Sequence, residues 1–245
     1  MTVLVGLLCK DGVVLGSDSS CTFASDIRTI EQSTKKVHTV KGMALMAGTG
    51  EVGLGQRFLY VLENLLAGKE LSGISDHREI GRVVAEKTLH NFSSTQCPRG
   101  TFGGLFGFYL GSKFGLCEFS TQSFQPELKM DGVWFASMGS GQNIADPFLG
   151  FLRKTFWEKE QPNVKDGVFY VTWALKHVID LNTGGIAGPI QLATLTRPHS
   201  TAEAKIMEAV ELDEHIGNVD GIHSYLSEYR GMLEGKTNGE APPSG

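Results

Sequence analysis

The sequence predicts an α/β protein built as a four-layer α/β/β/α sandwich. Three observations carry that expectation. The chain opens directly in strand-like sequence, strand-period and helix-period runs alternate in blocks, and glycine is over-represented. The blocks run strands, two helices, strands, two helices, strands, which is the order expected when two packed sheets are each covered by a helical layer. Glycine makes up 31 of 245 residues, about twice the usual share of roughly 7%, and signals tight turns and close backbone approaches.

Each block can be justified in turn. Thr2-Val-Leu-Val-Gly-Leu-Leu-Cys9 and Val13-Val-Leu-Gly-Ser-Asp18 flank Lys10-Asp11-Gly12, a hairpin signal because Asp and Gly tolerate the positive φ of the favoured two-residue turns. A polar stretch, Ser19 to Gln32, leads to a second hairpin with Thr34-Lys-Lys-Val-His-Thr-Val40 and Met43-Ala-Leu-Met-Ala-Gly48 as its arms. From about Glu51 the period changes: Leu54, Phe58, Val61, Leu62 and Leu65 recur at helical spacing up to Gly68. A second helix starts near Ser75-Asp76 and carries Ile80, Val83, Val84, Leu89 and Phe92. Strands return at Gly104–Leu110, Phe114–Phe119 and Val133–Met138. Two helices follow, Ile144–Trp157 and Lys165–Leu181, separated by Gln161-Pro162-Asn163, and then a strand at Ile190–Leu195. Ala204 to Leu212 reads as helix by propensity and as a last strand by position, and is assigned to strand. Glu214 to Leu233 reads as a helix. Residues 1–234 are expected to form a single domain, and the polar, turn-rich segment 235–245 to be a disordered tail.

Composition narrows the function classes. A net charge of −5 with scattered Lys and Arg argues against nucleic-acid binding, which needs a concentrated basic surface. The apolar runs fall well short of the roughly 20 residues of a membrane span, so no membrane partner is expected. Cys9, Cys21, Cys97 and Cys117 form no CxxC pair, and no basic-then-apolar targeting segment stands at the start, which fits a reducing cytoplasm. The seven histidines are scattered. His38 lies near Lys36 but has no Cys or Ser partner at a telling spacing, and neither a metal nor a cofactor is expected.

Met1-Thr2 at the start of a strand is the most informative dipeptide. Removing Met before a small residue leaves a free α-amine beside a hydroxyl on one residue. An α-amine titrates near pH 8 and can serve as the general base that a Thr hydroxyl otherwise lacks. The surrounding residues extend the signal. Thr-x-x-x-Gly from Thr2, Asp-Gly-Val-Val from Asp11, Gly-Ser-Asp-Ser around Asp18, Lys-Lys-Val around Lys36 and Ala-Gly-Thr around Gly48 together resemble the amino-terminal pattern of proteasome β subunits and of the simpler bacterial peptidase rings related to them.

The resemblance implies a fold of the N-terminal nucleophile hydrolase type and a threonine protease. It implies that Thr2 is the nucleophile and that Lys36 stabilises the alkoxide and restrains protonation of the amine, with Asp18 fixing the lysine. Gly48 matches the position whose N–H meets the substrate oxyanion, Thr22 the residue whose backbone pairs with an extended substrate, and Met46 the base of the main specificity pocket. Without the resemblance, Asp18 reads as a strand-end carboxylate, Lys36 as a solvated cation, Gly48 as a turn glycine and Met46 as core. Further along, Gly139-Ser140-Gly141 and Asp180-Leu-Asn-Thr183-Gly-Gly resemble two family segments, which implies that Ser140, Asp180 and Thr183 surround the Thr2 amine. The resemblance also implies polypeptide substrates, self-assembly into stacked rings, an ATP-dependent unfoldase as a candidate partner, and a stand-alone bacterial homologue. Two rival functions keep the same fold: a non-catalytic ring subunit, and a small-molecule amidase with the same N-terminal chemistry.

Overall fold

A computed structural model of the chain describes residues 1–23, 30–68, 70–95, 101–130, 132–181 and 185–234. β1 (Leu4–Cys9) turns at Lys10-Asp11 into β2 (Gly12–Ser17), antiparallel from Leu4 opposite Ser17 to Cys9 opposite Gly12. The hairpin stands where Asp-Gly places it, but for a different reason: Asp11 does not take a positive φ. Gly12 is required instead by crowding, since a Cβ there would lie 2.2 Å from the Leu195 carbonyl oxygen. The stretch read as a polar loop contains β3 (Ser20–Phe23) and β4 (Ile30–Ser33), paired as a two-stranded ribbon. β5 (Val37–Val40) and β6 (Ala44–Gly50) form the second hairpin, where Lys41 and Gly42 both take positive φ, +52° and +69°, the signature of a type I′ turn.

α1 (Val52–Ala67) and α2 (His77–Ser93) follow, the latter capped by the Asp76 carboxylate on the Arg78 N–H at 2.9 Å. Then come β7 (Phe102–Leu110), β8 (Lys113–Phe119), β9 (Pro126–Leu128) and β10 (Phe135–Met138). The second half closes with α3 (Gln142–Phe156), α4 (Val164–Leu181), β11 (Gln191–Thr196), β12 (Glu203–Ile206) and α5 (Ala209–Leu233). The ambiguous 204–212 stretch divides, its start completing β12 and its end opening α5. The 235–245 segment lies outside the described residues.

One sheet has the order β10-β1-β2-β11-β12 and the other β5-β6-β7-β8-β9. Leu4, Leu8, Val13, Leu15, Leu45, Leu105 and Leu116 fill the space between them. On its other face, the first sheet packs Val5, Leu7 and Val14 under Leu149, Val171, Leu175 and Val178 of α3 and α4. The second sheet packs Phe106, Phe108 and Phe119 under Phe58, Leu62, Ile80 and Val84 of α1 and α2. This is the four-layer α/β/β/α sandwich of the N-terminal nucleophile hydrolase type. Because the central strands are buried on both faces, β1 reads as an unbroken apolar run rather than an alternating one. α5 lies against α4, where the Trp173 indole N–H donates to His223 Nε2 at 3.1 Å.

Candidate active site

The hairpin register explains why residues 2 and 18 meet. Leu4 faces Ser17, so the residues just before β1 and just after β2 lie at the same end of the first sheet. The Val3 N–H donates to Asp18 Oδ1 at 3.0 Å and the Ser20 N–H to Oδ2 at 3.1 Å. Asp18 is fully buried, a costly place for a carboxylate unless it is paired and hydrogen-bonded. Its partner is Lys36, which immediately precedes β5 in the other sheet and places Nζ 2.8 Å from Asp18 Oδ1. The same ammonium lies 3.1 Å from Thr2 Oγ1 and 3.4 Å from the Met1 carbonyl oxygen. The Thr2 hydroxyl donates to that Met1 oxygen at 2.7 Å.

Ser140, between β10 and α3, approaches from the opposite side. Its Oγ accepts the Thr2 N–H at 3.1 Å, and the Gly141 N–H donates to the Thr2 carbonyl at 3.1 Å. Gly139 makes this approach sterically feasible: φ is +92°, and a Cβ would lie 2.3 Å from the Thr2 carbonyl oxygen. The structure therefore brings Thr2, Asp18, Lys36 and Ser140 together. It does not bring Asp180, which resembled a member of the network around the Thr2 amine. Asp180 sits in the last turn of α4, half-exposed, and its carboxylate is paired with Lys176 at 3.0 Å, one turn back on the same helix. Thr183 lies outside the described residues.

Thr2 opens onto a cleft of ≈ 310 Å³ whose walls include Lys36, His38, Met46, Gly48, Leu59 and Phe102. Met46 lines this cleft and is 2% exposed within the core under α1. Gly48 also lines the cleft, yet its N–H is donated to the Lys36 carbonyl at 3.3 Å as an extension of the β5–β6 ladder. The expected free oxyanion donor is thus engaged in this conformation, although at a length near the limit of a hydrogen bond. A side chain at Gly48 would meet the Phe102 ring at 2.8 Å. Thr22 lies on β3 opposite Glu31, with β4 along one edge of a ribbon that has no third strand among the described residues.

Two contributors escaped the sequence reading. His38, on β5 two residues beyond Lys36, also lines the cleft, a period-2 relation that was legible. Burial, reinforced by the neighbouring Lys35 charge, lowers its pKa. Gln191, at the start of β11, accepts the Lys36 N–H at 2.9 Å and the Val37 N–H at 3.4 Å on Oε1 and donates from Nε2 to the Thr34 carbonyl at 2.6 Å. It is separated from Lys36 by 155 residues, and no local signal announces it. Among the described residues, no group of three or more His, Cys, Asp or Glu is placed to hold a metal ion, and no helix is long and apolar enough to cross a membrane.

Comparison with known proteins agrees with this fold. A family model described as "Proteasome subunit" matches residues 2–188. "Proteasome subunit beta 1" of Thermococcus onnurineus (strain NA1) is 26% identical over 179 residues, covering 71% of this chain and 79% of that protein. Among solved structures, Anbu (ancestral beta-subunit) from Yersinia bercovieri superimposes with a TM-score of 0.71 at 12% identity, covering 98% of this chain and 100% of that one. An Anbu (Gly-1) mutant from Hyphomicrobium sp. strain MC1 gives a TM-score of 0.71 at 14% identity over 99% of this chain and 100% of its own. At these identities, the structural likeness is one of fold.

Proposed function

Because the chain belongs to the proteasome subunit family, as a β-type member, we propose that it is a threonine endopeptidase subunit whose nucleophile is Thr2 once the residue before it has been removed. The observation that supports this most strongly is the Lys36 ammonium, held by Asp18 at 2.8 Å and in contact with Thr2 Oγ1 at 3.1 Å. A cation at that distance stabilises the charge that develops on a Thr oxygen as its proton leaves.

In the proposed reaction Thr2 Oγ1 attacks a peptide carbonyl carbon and its proton passes to the freed Thr2 amine. The tetrahedral intermediate then collapses, the C–N bond breaks, and the amine returns the proton to the leaving nitrogen. Water, deprotonated by the same amine, hydrolyses the resulting ester and restores Thr2. Ser140 Oγ, which accepts the Thr2 N–H at 3.1 Å, orients the amine. Gly48 serves as oxyanion donor by exchanging its 3.3 Å bond to the Lys36 carbonyl for the substrate oxygen; such donors contribute about 10²–10³ in rate. Met46, His38, Leu59 and Phe102 receive the side chain before the cut bond, and the edge of β3 away from β4, unpaired with a third strand among the described residues, pairs at Thr22 with the extended substrate. We assign no catalytic part to Asp180, and Thr183 completes the network around the amine on resemblance alone.

We further propose that residues 1–234 act as one unit that assembles into homo-oligomeric rings in the cytoplasm, as a stand-alone bacterial-type homologue served by an ATP-dependent unfoldase. The test is intact mass spectrometry of the purified protein after treatment with a peptide epoxyketone or β-lactone. The expected result is loss of Met1 and one adduct per chain, absent in Thr2→Ala, with peptide hydrolysis abolished in that variant. Peptide cleavage at the normal rate by Thr2→Ala would overturn the assignment. Rings that neither cleave peptides nor take the label would mark a non-catalytic subunit.

A further inference from the structure

We propose that Gln191 is a positioning residue for this site, setting the reach of Lys36 to Thr2. The inference rests on the reading above for its kinetic consequence but not for its structural one. Lys36 sits in 34–36, a connection between β4 and β5 that belongs to no strand. Its carbonyl accepts the Gly48 N–H at 3.3 Å, where the β5–β6 ladder runs out, yet its ammonium must hold 2.8 Å to Asp18 and 3.1 Å to Thr2 Oγ1.

Two main-chain groups of this connection and the first N–H of β5 are satisfied by one side chain from the other sheet. Gln191 Oε1 accepts from Lys36 N–H and Val37 N–H, and Nε2 donates to the Thr34 carbonyl, the shortest of the three at 2.6 Å. Only a carboxamide offers a two-lone-pair acceptor and a donor on one planar group, which is what two N–H groups and one carbonyl demand. The partners also fix the orientation of the amide, oxygen toward 36 and 37 and nitrogen toward 34. Gln191 in turn is fixed opposite Ser17, the last residue of β2 and the neighbour of Asp18. One short path thus ties the backbone that carries the cation to the strand that carries its counter-ion. Displacement of a reacting group by about 1 Å costs on the order of 10²-fold in rate, so a clamp at this point governs catalysis without touching substrate.

The test compares crystal structures and steady-state kinetics of the wild type, Gln191→Leu and Gln191→Glu. Leu removes all three bonds at similar size, whereas Glu keeps the acceptor toward Lys36 and Val37 but sets a second acceptor oxygen against the Thr34 carbonyl in place of the donor. In Gln191→Leu we expect the Lys36 Nζ to leave hydrogen-bonding distance of Thr2 Oγ1. We expect kcat to fall on the order of 10–100-fold with KM within about twofold. The acid limb of the pH profile should move to higher pH, because a retreating cation no longer opposes protonation of the Thr2 amine. Gln191→Glu, which keeps the acceptor toward Lys36 and Val37, should retain more of the contact and of the rate than Gln191→Leu, and fall short of the wild type. Should Gln191→Leu not fold, Gln191→Asn withdraws the amide by one methylene and is read in the same way. A Gln191→Leu or Gln191→Asn structure that keeps the 3.1 Å contact overturns the proposal. A wild type that hydrolyses no peptide overturns the proposed function instead, and the crystallographic distance still decides the role of Gln191.

Discussion

Both oxygens of Asp18 are used inside the protein, Oδ1 by the Val3 N–H and the Lys36 ammonium and Oδ2 by the Ser20 N–H. A buried ion pair is weak evidence for net stability, but removing one member leaves the other charged and unpaired, at a cost of about 3–5 kcal/mol. Asp18→Ala should therefore lose about that much in urea denaturation and lose Thr2 labelling as well; a variant as stable as wild type would show that the pair is not structurally required. At Gly139 the constraint is steric and conformational. Gly139→Ala places a non-glycine residue at φ +92° and a Cβ against the Thr2 carbonyl. It should destabilise by at least about 1–3 kcal/mol, measured by thermal unfolding, and slow labelling of Thr2 in the fraction that remains folded.

At the level of elements, the layer between the sheets offers the sharpest check of the architecture. Leu105 is fully buried there on β7, so Leu105→Ala should cost about 2–5 kcal/mol. Tyr60→Ala, on the exposed face of α1, should be nearly neutral in the same denaturation experiment. Long, strongly periodic elements such as α1, α2 and α4 were legible because one face of each must repeat every 3.6 residues to meet a sheet. β9 escaped because three residues carry no usable period. β3 and β4 escaped because Ser20 to Phe23 and Ile30 to Ser33 pair with each other rather than with a core sheet, so polar residues persist in them. The 204–212 stretch resisted a single assignment because it holds two elements, β12 and the first turn of α5.

Across the whole molecule, protonation couples separate regions to stability. His38 beside the cleft and His177 on α4 both have lowered pKa values, mainly through burial, with Lys35 adding to the effect at His38 and His223 at His177. Glu63 and Asp180 act in the opposite direction at the two rings. A folded-state pKa below the unfolded value of about 6.5 means that the unfolded chain binds protons first as pH falls. Stability from these rings is therefore complete above pH 6.5 and declines below it. The urea midpoint should drop between pH 7.5 and 5.5, and drop less in His38→Gln and His177→Gln; equal slopes in all three proteins would rule the rings out as the source. The site was legible to a similar mixed degree. That Thr2, Asp18, Lys36 and Ser140 meet was expected only from the resemblance of their segments to the family pattern, since alone they read as a chain-start threonine, a strand-end carboxylate, a solvated cation and a turn serine. Asp180 misled because a helix-end carboxylate had a lysine one turn away. Gln191 was silent because only the closed sandwich brings β11 beside the approach to β5.

Thr2 is held on its N–H by Ser140 and on its carbonyl by Gly141, with Lys36 against its hydroxyl. For the proposed hydrolysis, this means that the orientational freedom of the reacting oxygen is removed once, when the sandwich closes, and not again at each turnover. A residue at the extreme of a chain would ordinarily have to be ordered by every incoming substrate, at the expense of affinity or rate. The molecule supplies that order from two separate stretches of its own chain, Lys36 and Ser140-Gly141.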